Sequence, residues 1–296
     1  MITYNDLKKK WSAEFEDSGF ENIDFELNEL LGLAMGTDCR SADYAEKLKS
    51  TADSKTVQAF EQLCKRRLDG EPLQYILGEW EFYGLPFKVG KGVLIPRQDT
   101  ETIVDIALQK LHGRSDITVI DLCAGSGCIG IALEKNFDCR EVMSIEKSPQ
   151  AHEYLVQNIE LNGSFAKAVL GDIFDEQVIE NAPMADIIVC NPPYVTEAEM
   201  KQLQREVQFE PESALHGGED GLDYYRDIVR LWKHKLNEDG MMLFEIGKGQ
   251  EDEVMQMMIQ HGFKDVRTRA DLCGVNRCVF GFNRISTKLC TDVMSV

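Results

Sequence analysis

Between residues 117 and 283 the chain alternates between two hydrophobic periods, and that alternation limits the folds open to it more than any other feature. The stretches "ITVIDLC" (117–123), "VMSIE" (142–146), "AKAVLGD" (166–172), "ADIIVCN" (185–191) and "GMMLFEIG" (240–247) are short apolar runs; helix-spaced segments such as "SPQAHEYLVQNIELNG" lie between them. Strands separated by helices pair in parallel through crossovers. The expected class is therefore α/β, a Rossmann-like sheet that binds ligands at the C-terminal strand ends near the topological switch. Two more strand-like runs, near 265–283, follow each other too closely for a helical crossover, so one of them should be antiparallel.

Ahead of the sheet the period is helical. "DLKKKWSAEF", "FELNELLGLAMG" and "KTVQAFEQLCKRRL" place apolar residues three or four apart, with Gly36 and Gly70 as candidate stops. From Gly78, "GEWEFYGLPFKVGKGVLIPR" alternates aromatic and polar residues around glycines, the pattern of a β-hairpin. The expected organisation is a helical substrate-recognition domain over 1–75, a hairpin linker over 76–96, the Rossmann-like domain over 97–285 and a tail over 286–296.

Composition narrows the function classes. The net charge is −19, from 51 acidic and 32 basic residues, the reverse of what binding a phosphate backbone demands, so no direct nucleic-acid partner is expected. The first 20 residues lack an apolar core of a signal segment, and no run approaches the roughly 18 apolar residues of a membrane span; a cytoplasmic protein with no membrane partner is expected. The nine cysteines are odd in number and contain no C-x-x-C pair or zinc-like histidine spacing, which reads as reduced, mostly buried thiols and no metal.

"VIDLCAGSGCIGIAL" reads as a strand, a glycine loop and a helix start. Gly125, Gly127 and Gly130 satisfy G-x-G-x-x-G, and Glu146 ends the next strand about 20 residues on, where an acid accepts hydrogen bonds from ribose hydroxyls. This fingerprint does not separate a dinucleotide from S-adenosylmethionine, and glycines needed only for a tight turn would satisfy it too. Asp121, just before the loop, favours S-adenosylmethionine: its carboxylate would repel a pyrophosphate but could orient the amino-acid end of a sulfonium ligand. Asp172, in "LGDIF", could face an adenine ring with Ile173 packed on it; a solvated strand-end aspartate is the plainer reading.

The run "IIVCNPPYV" ends a strand in Asn191-Pro192-Pro193-Tyr194. Proline cannot extend a central strand and holds the preceding residue extended, so Asn191 should be fixed just past the strand end. A planar amino group is a poor nucleophile because its lone pair is delocalised. If the Asn191 side-chain oxygen and the Pro192 carbonyl each accept one N–H, the lone pair can turn to an electrophile, and Tyr194 can stack on the acceptor. On that logic Asn191→Asp, which keeps an acceptor oxygen, should retain more activity than Asn191→Ala. A rigid turn is the alternative reading of the same residues.

With these motifs in place the sequence closely resembles the HemK-type protein-(glutamine-N5) methyltransferases. The resemblance rests on "GEPLQYILGEWEFYGLPFKV", "VLIPRQDTE", "DLCAGSGCIGIAL", "CNPPY", "FEPESALHGGEDGLDYYR", "LFEIGKGQ" and "DLCGVNR", nearly the whole chain. It implies a class I S-adenosylmethionine-dependent methyltransferase domain. It also implies a substrate, the Gly-Gly-Gln glutamine of class 1 peptide chain release factors, and an enzyme acting as a monomer. By the same resemblance Cys123, Ala124, Gly125, Ser126, Gly127, Glu146, Ile173 and Asn191 bind the cofactor, and Asn191, Pro192, Pro193 and Tyr194 hold the glutamine. Arg97 and Glu101 are expected to support the cleft, although an arginine and a glutamate beside a helix start also read as a surface pair or cap. The chain has Ala124, Glu146 and Gln98 where such enzymes usually have threonine, aspartate and proline. "NPPY" alone also resembles adenine-N6 nucleic-acid methyltransferases, the competing enzyme reading; a non-catalytic binding module is the competing reading of another class.

Overall fold

A computed structural model describes residues 2–284; the tail expected from residue 286, with Cys290, lies outside the described residues. The chain divides into two compact units. The first takes in the residues up to Trp80, together with Lys88–Lys91 and Leu203–Glu210; the second takes in Glu81–Phe87, Gly92–Gln202 and the chain from Pro211 onward.

The first unit holds α1 (Tyr4–Asp17), α2 (Ile23–Met35), α3 (Ala42–Lys47), α4 (Ser54–Leu68) and α5 (Leu73–Leu77). The three-and-four spacing read from the sequence puts Leu7, Trp11 and Phe15 of α1, Leu27, Leu30 and Leu31 of α2 and Phe60 and Cys64 of α4 into one buried core. Gly36 caps α2 at φ 62°, a left-handed turn that a β-carbon would strain. Arg67 is buried and donates through Nε to Glu26 at 2.6 Å; its Nη2 reaches Glu206 at 2.7 Å. Glu206 belongs to Leu203–Glu210, far downstream in the chain, so this unit is not built from one contiguous stretch.

The hairpin expected after Gly78 is β1 (Glu79–Phe82) with β2 (Leu85–Lys88). The second unit continues with α6 (Glu101–Lys110), β3 (Ile117–Leu122), α7 (Cys128–Asn136), β4 (Cys139–Glu146), α8 (Pro149–Leu161), β5 (Lys167–Leu170), α9 (Glu176–Asn181) and β6 (Ala185–Cys190). It ends with α10 (Glu197–Met200), α11 (Asp223–Trp232), β7 (Leu236–Glu245), α12 (Glu251–Gln260), β8 (Lys264–Ala270) and β9 (Asn276–Asn283).

Seven of these strands form one sheet in the order β5-β4-β3-β6-β7-β9-β8. Neighbours from β5 to β7 pair in parallel, and β9 runs antiparallel to both β7 and β8, as the close spacing of the last two strands requires. The sheet is covered on both faces, which is why its central strands are apolar runs instead of alternating ones. Ile120, Leu122, Ile188, Met242 and Phe244 pack with Tyr225 and Trp232 of α11 on one side. Val119, Ile187, Val189, Met241 and Leu243 pack with Ile103 and Val104 of α6 and Ile131 of α7 on the other. The order reverses between β3 and β6, and their register, Leu122 opposite Cys190, sets Cys123 and Asn191 side by side past the strand ends. A ligand crevice belongs at that switch point.

Among the described residues all eight cysteines are free, and Cys64, Cys128, Cys190 and Cys278 are buried. No group of His, Cys, Asp and Glu among them is arranged to hold a metal, and no helix is long and apolar enough to cross a membrane.

Candidate active site

The loop after β3 is shaped by left-handed residues: Cys123 at φ 57°, Gly125 at φ 55° and Gly127 at φ 81°. A β-carbon on Gly127 would lie 2.4 Å from Leu155 Cδ1 of α8, so both conformation and space demand glycine there. The loop is tied down at its back by Asn158, whose Nδ2 donates to the Ser126 carbonyl at 2.9 Å. Glu146, at the end of β4, accepts the Gly125 N–H at 2.8 Å and the Ser148 N–H at 2.7 Å. Burial pushes its pKa up, opposed by the backbone N–H groups of Ser148, Gly125 and Lys147. Each oxygen keeps a second lone pair that can accept a ribose hydroxyl.

Asp121 does not stand where the sequence suggested. It is fully buried beneath the loop, accepts the Gly130 N–H at 3.0 Å and faces Ser144 across the β3–β4 pair. A β-carbon on Gly130 would come within 2.9 Å of its Oδ2, so this glycine makes room for the carboxyl and not for a pyrophosphate. Asp121 positions the loop from behind, and its Oδ1 has no protein partner. Burial pushes its pKa up to about 7. A carboxyl that binds its proton more tightly when folded lowers stability as pH rises from its unfolded value, about 4, to about 7, and leaves it level outside that window. Asp121→Asn is expected to make the slope of stability against pH less negative in that window, read from denaturant midpoints. Glu245, also pushed up to about 7 by burial, keeps a slope of the same sign.

At the switch point Asn191 follows β6. Its Nδ2 donates to the hydroxyl of Thr100 at 3.3 Å, and the carboxyl of Glu245, buried at the end of β7, lies near Thr100. Tyr194 also donates to Glu245, at 3.3 Å. The backbone of the motif is clamped by segments from elsewhere in the fold. Gln250 Nε2 donates to the Tyr194 carbonyl at 3.1 Å, and Val195 and Leu215–Gly217 exchange hydrogen bonds of 2.8 and 2.9 Å. A β-carbon on Gly217 would lie 2.6 Å from the Pro193 carbonyl, so the "HGG" glycine permits that approach.

Between the two strand ends lies a cavity of about 400 Å³. Cys123, Ala124, Gly125, Ser126, Glu146, Asp172, Ile173, Asn191, Pro193 and Arg97 line it; each was singled out from the sequence. Asp172 is held by Lys147 at 2.7 Å, and Ile173 is anchored through its carbonyl, which accepts from Trp232 Nε1 at 2.9 Å. Gly127 caps α7, Pro192 is buried, and the Tyr194 hydroxyl turns to Glu245. Glu101 accepts the Tyr83 N–H at 2.7 Å, which makes it the anchor of the hairpin turn instead of a cleft residue. Thr100, Glu245 and Gln250 were not singled out beforehand. The one available signal was a carboxylate closing the otherwise apolar run "MMLFE".

The wall suits S-adenosylmethionine. The glycine loop and the strand-end carboxylate of Glu146 line one side, Ile173 and Tyr224 add apolar surface, and the volume fits one small cofactor.

Comparisons with known proteins agree with this architecture. Residues 6–78 match the family described as PrmC N-terminal domain, and residues 104–216 match that described as TRM5/TYW2 methyltransferase domain. A release factor glutamine methyltransferase of Geobacter sulfurreducens is 40% identical over 90% of this chain and 91% of its own length. One of Thermodesulfovibrio yellowstonii is 39% identical over 76% of this chain and 81% of its own. The crystal structure of a methyltransferase from Pyrococcus furiosus covers 69% of this chain and 91% of its own, with a TM-score of 0.52 and 18% identity, a likeness of fold. Identity of this order over nine-tenths of both sequences, with the glycine loop and "NPPY" meeting at one cavity, places the chain in the release factor glutamine methyltransferase family.

Proposed function

We propose that the chain transfers a methyl group from S-adenosylmethionine to the side-chain amide nitrogen of the Gly-Gly-Gln glutamine in class 1 peptide chain release factors. The observation that carries this reading is Asn191, on the cavity wall with its amide nitrogen occupied by Thr100, which leaves its oxygen as an acceptor for a planar NH2 group. S-adenosylmethionine, when bound, supplies an electrophilic methyl group on a sulfonium.

The protein's part is orientation. Asn191 Oδ1 and the Pro192 carbonyl each accept one N–H of the glutamine amide, which turns the nitrogen lone pair out of conjugation and toward the methyl carbon. Pro192 and Pro193 hold those acceptors still. Transfer would join that lone pair to the methyl carbon while the S–C bonding pair stays on sulfur, and the surplus proton on the amide nitrogen would pass to solvent. Glu146 and the loop from Cys123 to Gly127 hold the cofactor at the adjoining strand end.

The first unit carries none of this chemistry, and we assign to it recognition of the release factor. Removing residues 1–70 is expected to leave cofactor affinity in place and to lower transfer to the intact factor. It also strips Leu203–Glu210 of their packing, so circular dichroism must accompany the measurement. The acidic charge favours a protein substrate over DNA, and a monomeric, cytoplasmic enzyme fits this reading. Incubation with methyl-labelled S-adenosylmethionine and either a release factor or DNA tests it: label on the glutamine supports the proposal, and label on adenine overturns it.

A further inference from the structure

Arg277, on β9, is fixed at three points, and the reaction just described uses none of them. Its carbonyl accepts the Ile246 N–H at 2.8 Å, which ties it to the residue that follows β7. Its Nε donates to Asp271 Oδ2 at 3.1 Å, and its Nη2 pairs with Asp99 Oδ2 at 3.3 Å. Asp271 is itself built into the turn between β8 and β9: its Oδ1 accepts the Cys273 N–H at 2.8 Å and the Val275 N–H at 2.9 Å. The guanidinium, 24% exposed, therefore rests on a rigid support at one edge and grips Asp99 with the other. What Asp99 carries is its neighbour. Thr100 closes the 3-10 turn Gln98–Thr100, is buried, lines the cavity and accepts from Asn191 Nδ2 at 3.3 Å. That hydrogen bond is already long, so a small outward shift of the turn breaks it. The turn has no side-chain cap of its own, which leaves the Asp99–Arg277 pair to hold it.

We propose that Arg277 is a positioning residue for methyl transfer: through Asp99 it holds the Gln98–Thr100 turn where Thr100 keeps the Asn191 amide nitrogen occupied and leaves the Asn191 oxygen to the acceptor. This rests on the reading of Asn191 given above. Arg277 does not line the cavity; it acts through the turn. The clamp joins the turn before α6 to the last hairpin of the sheet, two elements that the sequence keeps far apart.

A double-mutant cycle tests the proposal. Single-turnover methyl transfer to a release factor, at saturating S-adenosylmethionine, is compared for the full chain and for Arg277→Met, Thr100→Val and the two combined. Arg277→Met should slow transfer by about tenfold, the cost of letting a supporting element move under a reacting group, with cofactor affinity within about threefold of the parent. Once Thr100 has lost its hydroxyl, Arg277 has nothing left to position. The combined variant should then be as slow as Thr100→Val alone, within about twofold. A role in stability alone would lower the denaturant midpoint of Arg277→Met and leave the folded enzyme at the parental rate, and that result overturns the inference. Losses that multiply in the combined variant overturn it too. If Arg277→Met does not fold, Asp99→Ala removes the same pair from its more exposed end and must slow transfer by about tenfold; a parental rate there overturns the inference equally. Failure of the Asn191 reading itself shows elsewhere, as a parental rate for Asn191→Ala.

Discussion

Asn191→Ala is expected to slow methyl transfer by about 10²- to 10³-fold at saturating cofactor, the usual consequence of removing one preorganised polar contact to a reacting group. Its affinity for S-adenosylmethionine changes far less, because Glu146 and the glycine loop remain. Single-turnover transfer to the release-factor glutamine separates the two effects. The companion Asn191→Asp is where the structure alters what the sequence suggested. An aspartate keeps an acceptor for the substrate, but it also turns an oxygen to Thr100 and sets a charge near the buried Glu245 carboxyl. Two carboxylates then repel each other across Thr100, and above neutral pH the aspartate variant should be no faster than the alanine one.

Lowering the pH should rescue it. Burial pushes the Glu245 pKa up to about 7; Arg277 favours its charged form and Asp99 opposes it. Tyr194, Tyr225, Cys128, Cys190 and Cys278 also face it, and burial raises the pKa of each, so they stay neutral in this range. As pH falls through about 7, Glu245 gains a proton and its repulsion of the aspartate is lifted. The ratio of Asn191→Asp to Asn191→Ala rates should therefore rise on the acid side. A ratio flat between about pH 6 and pH 8 would place the amide's partner elsewhere.

Glu146→Ala raises the dissociation constant for S-adenosylmethionine by about 10- to 100-fold, equivalent to losing a charged hydrogen-bond acceptor worth about 1.5 to 3 kcal/mol. Two things are lost together: the acceptor for the ribose, and the carboxylate that pins Gly125 and Ser148. Glu146→Asp, one methylene shorter, keeps the charge and should cost less. Calorimetry on folded variants decides the point, and unchanged affinity in Glu146→Ala would take this residue out of the cofactor site.

The sequence by itself determined the sheet and where its ligand must go. Runs such as "ITVIDL" and "ADIIVC" carry apolar residues toward both faces because both are covered, and helical spacing between them forces parallel pairing, so the glycine loop and "NPPY" had to meet at strand ends. Glu146, Ile173 and Asn191 were legible for the same reason: each ends, or follows, a strand whose direction the pattern fixes. The tertiary structure alone decided what stands behind them. Asp121 and Glu101 carry the residue types expected at a cleft, yet Asp121 lies under the loop beside Gly130 and Glu101 turns to the hairpin. Periodicity says which face a residue takes and leaves open how far it lies from a cavity. Leu203–Glu210 joins the helical unit through Glu206 and Arg67, a pairing that no local pattern encodes. The meeting of Asn191, Thr100 and Glu245 was hidden for the same physical reason. Local sequence sets backbone period and burial, whereas a contact among three side chains depends on atoms that only packing brings within reach.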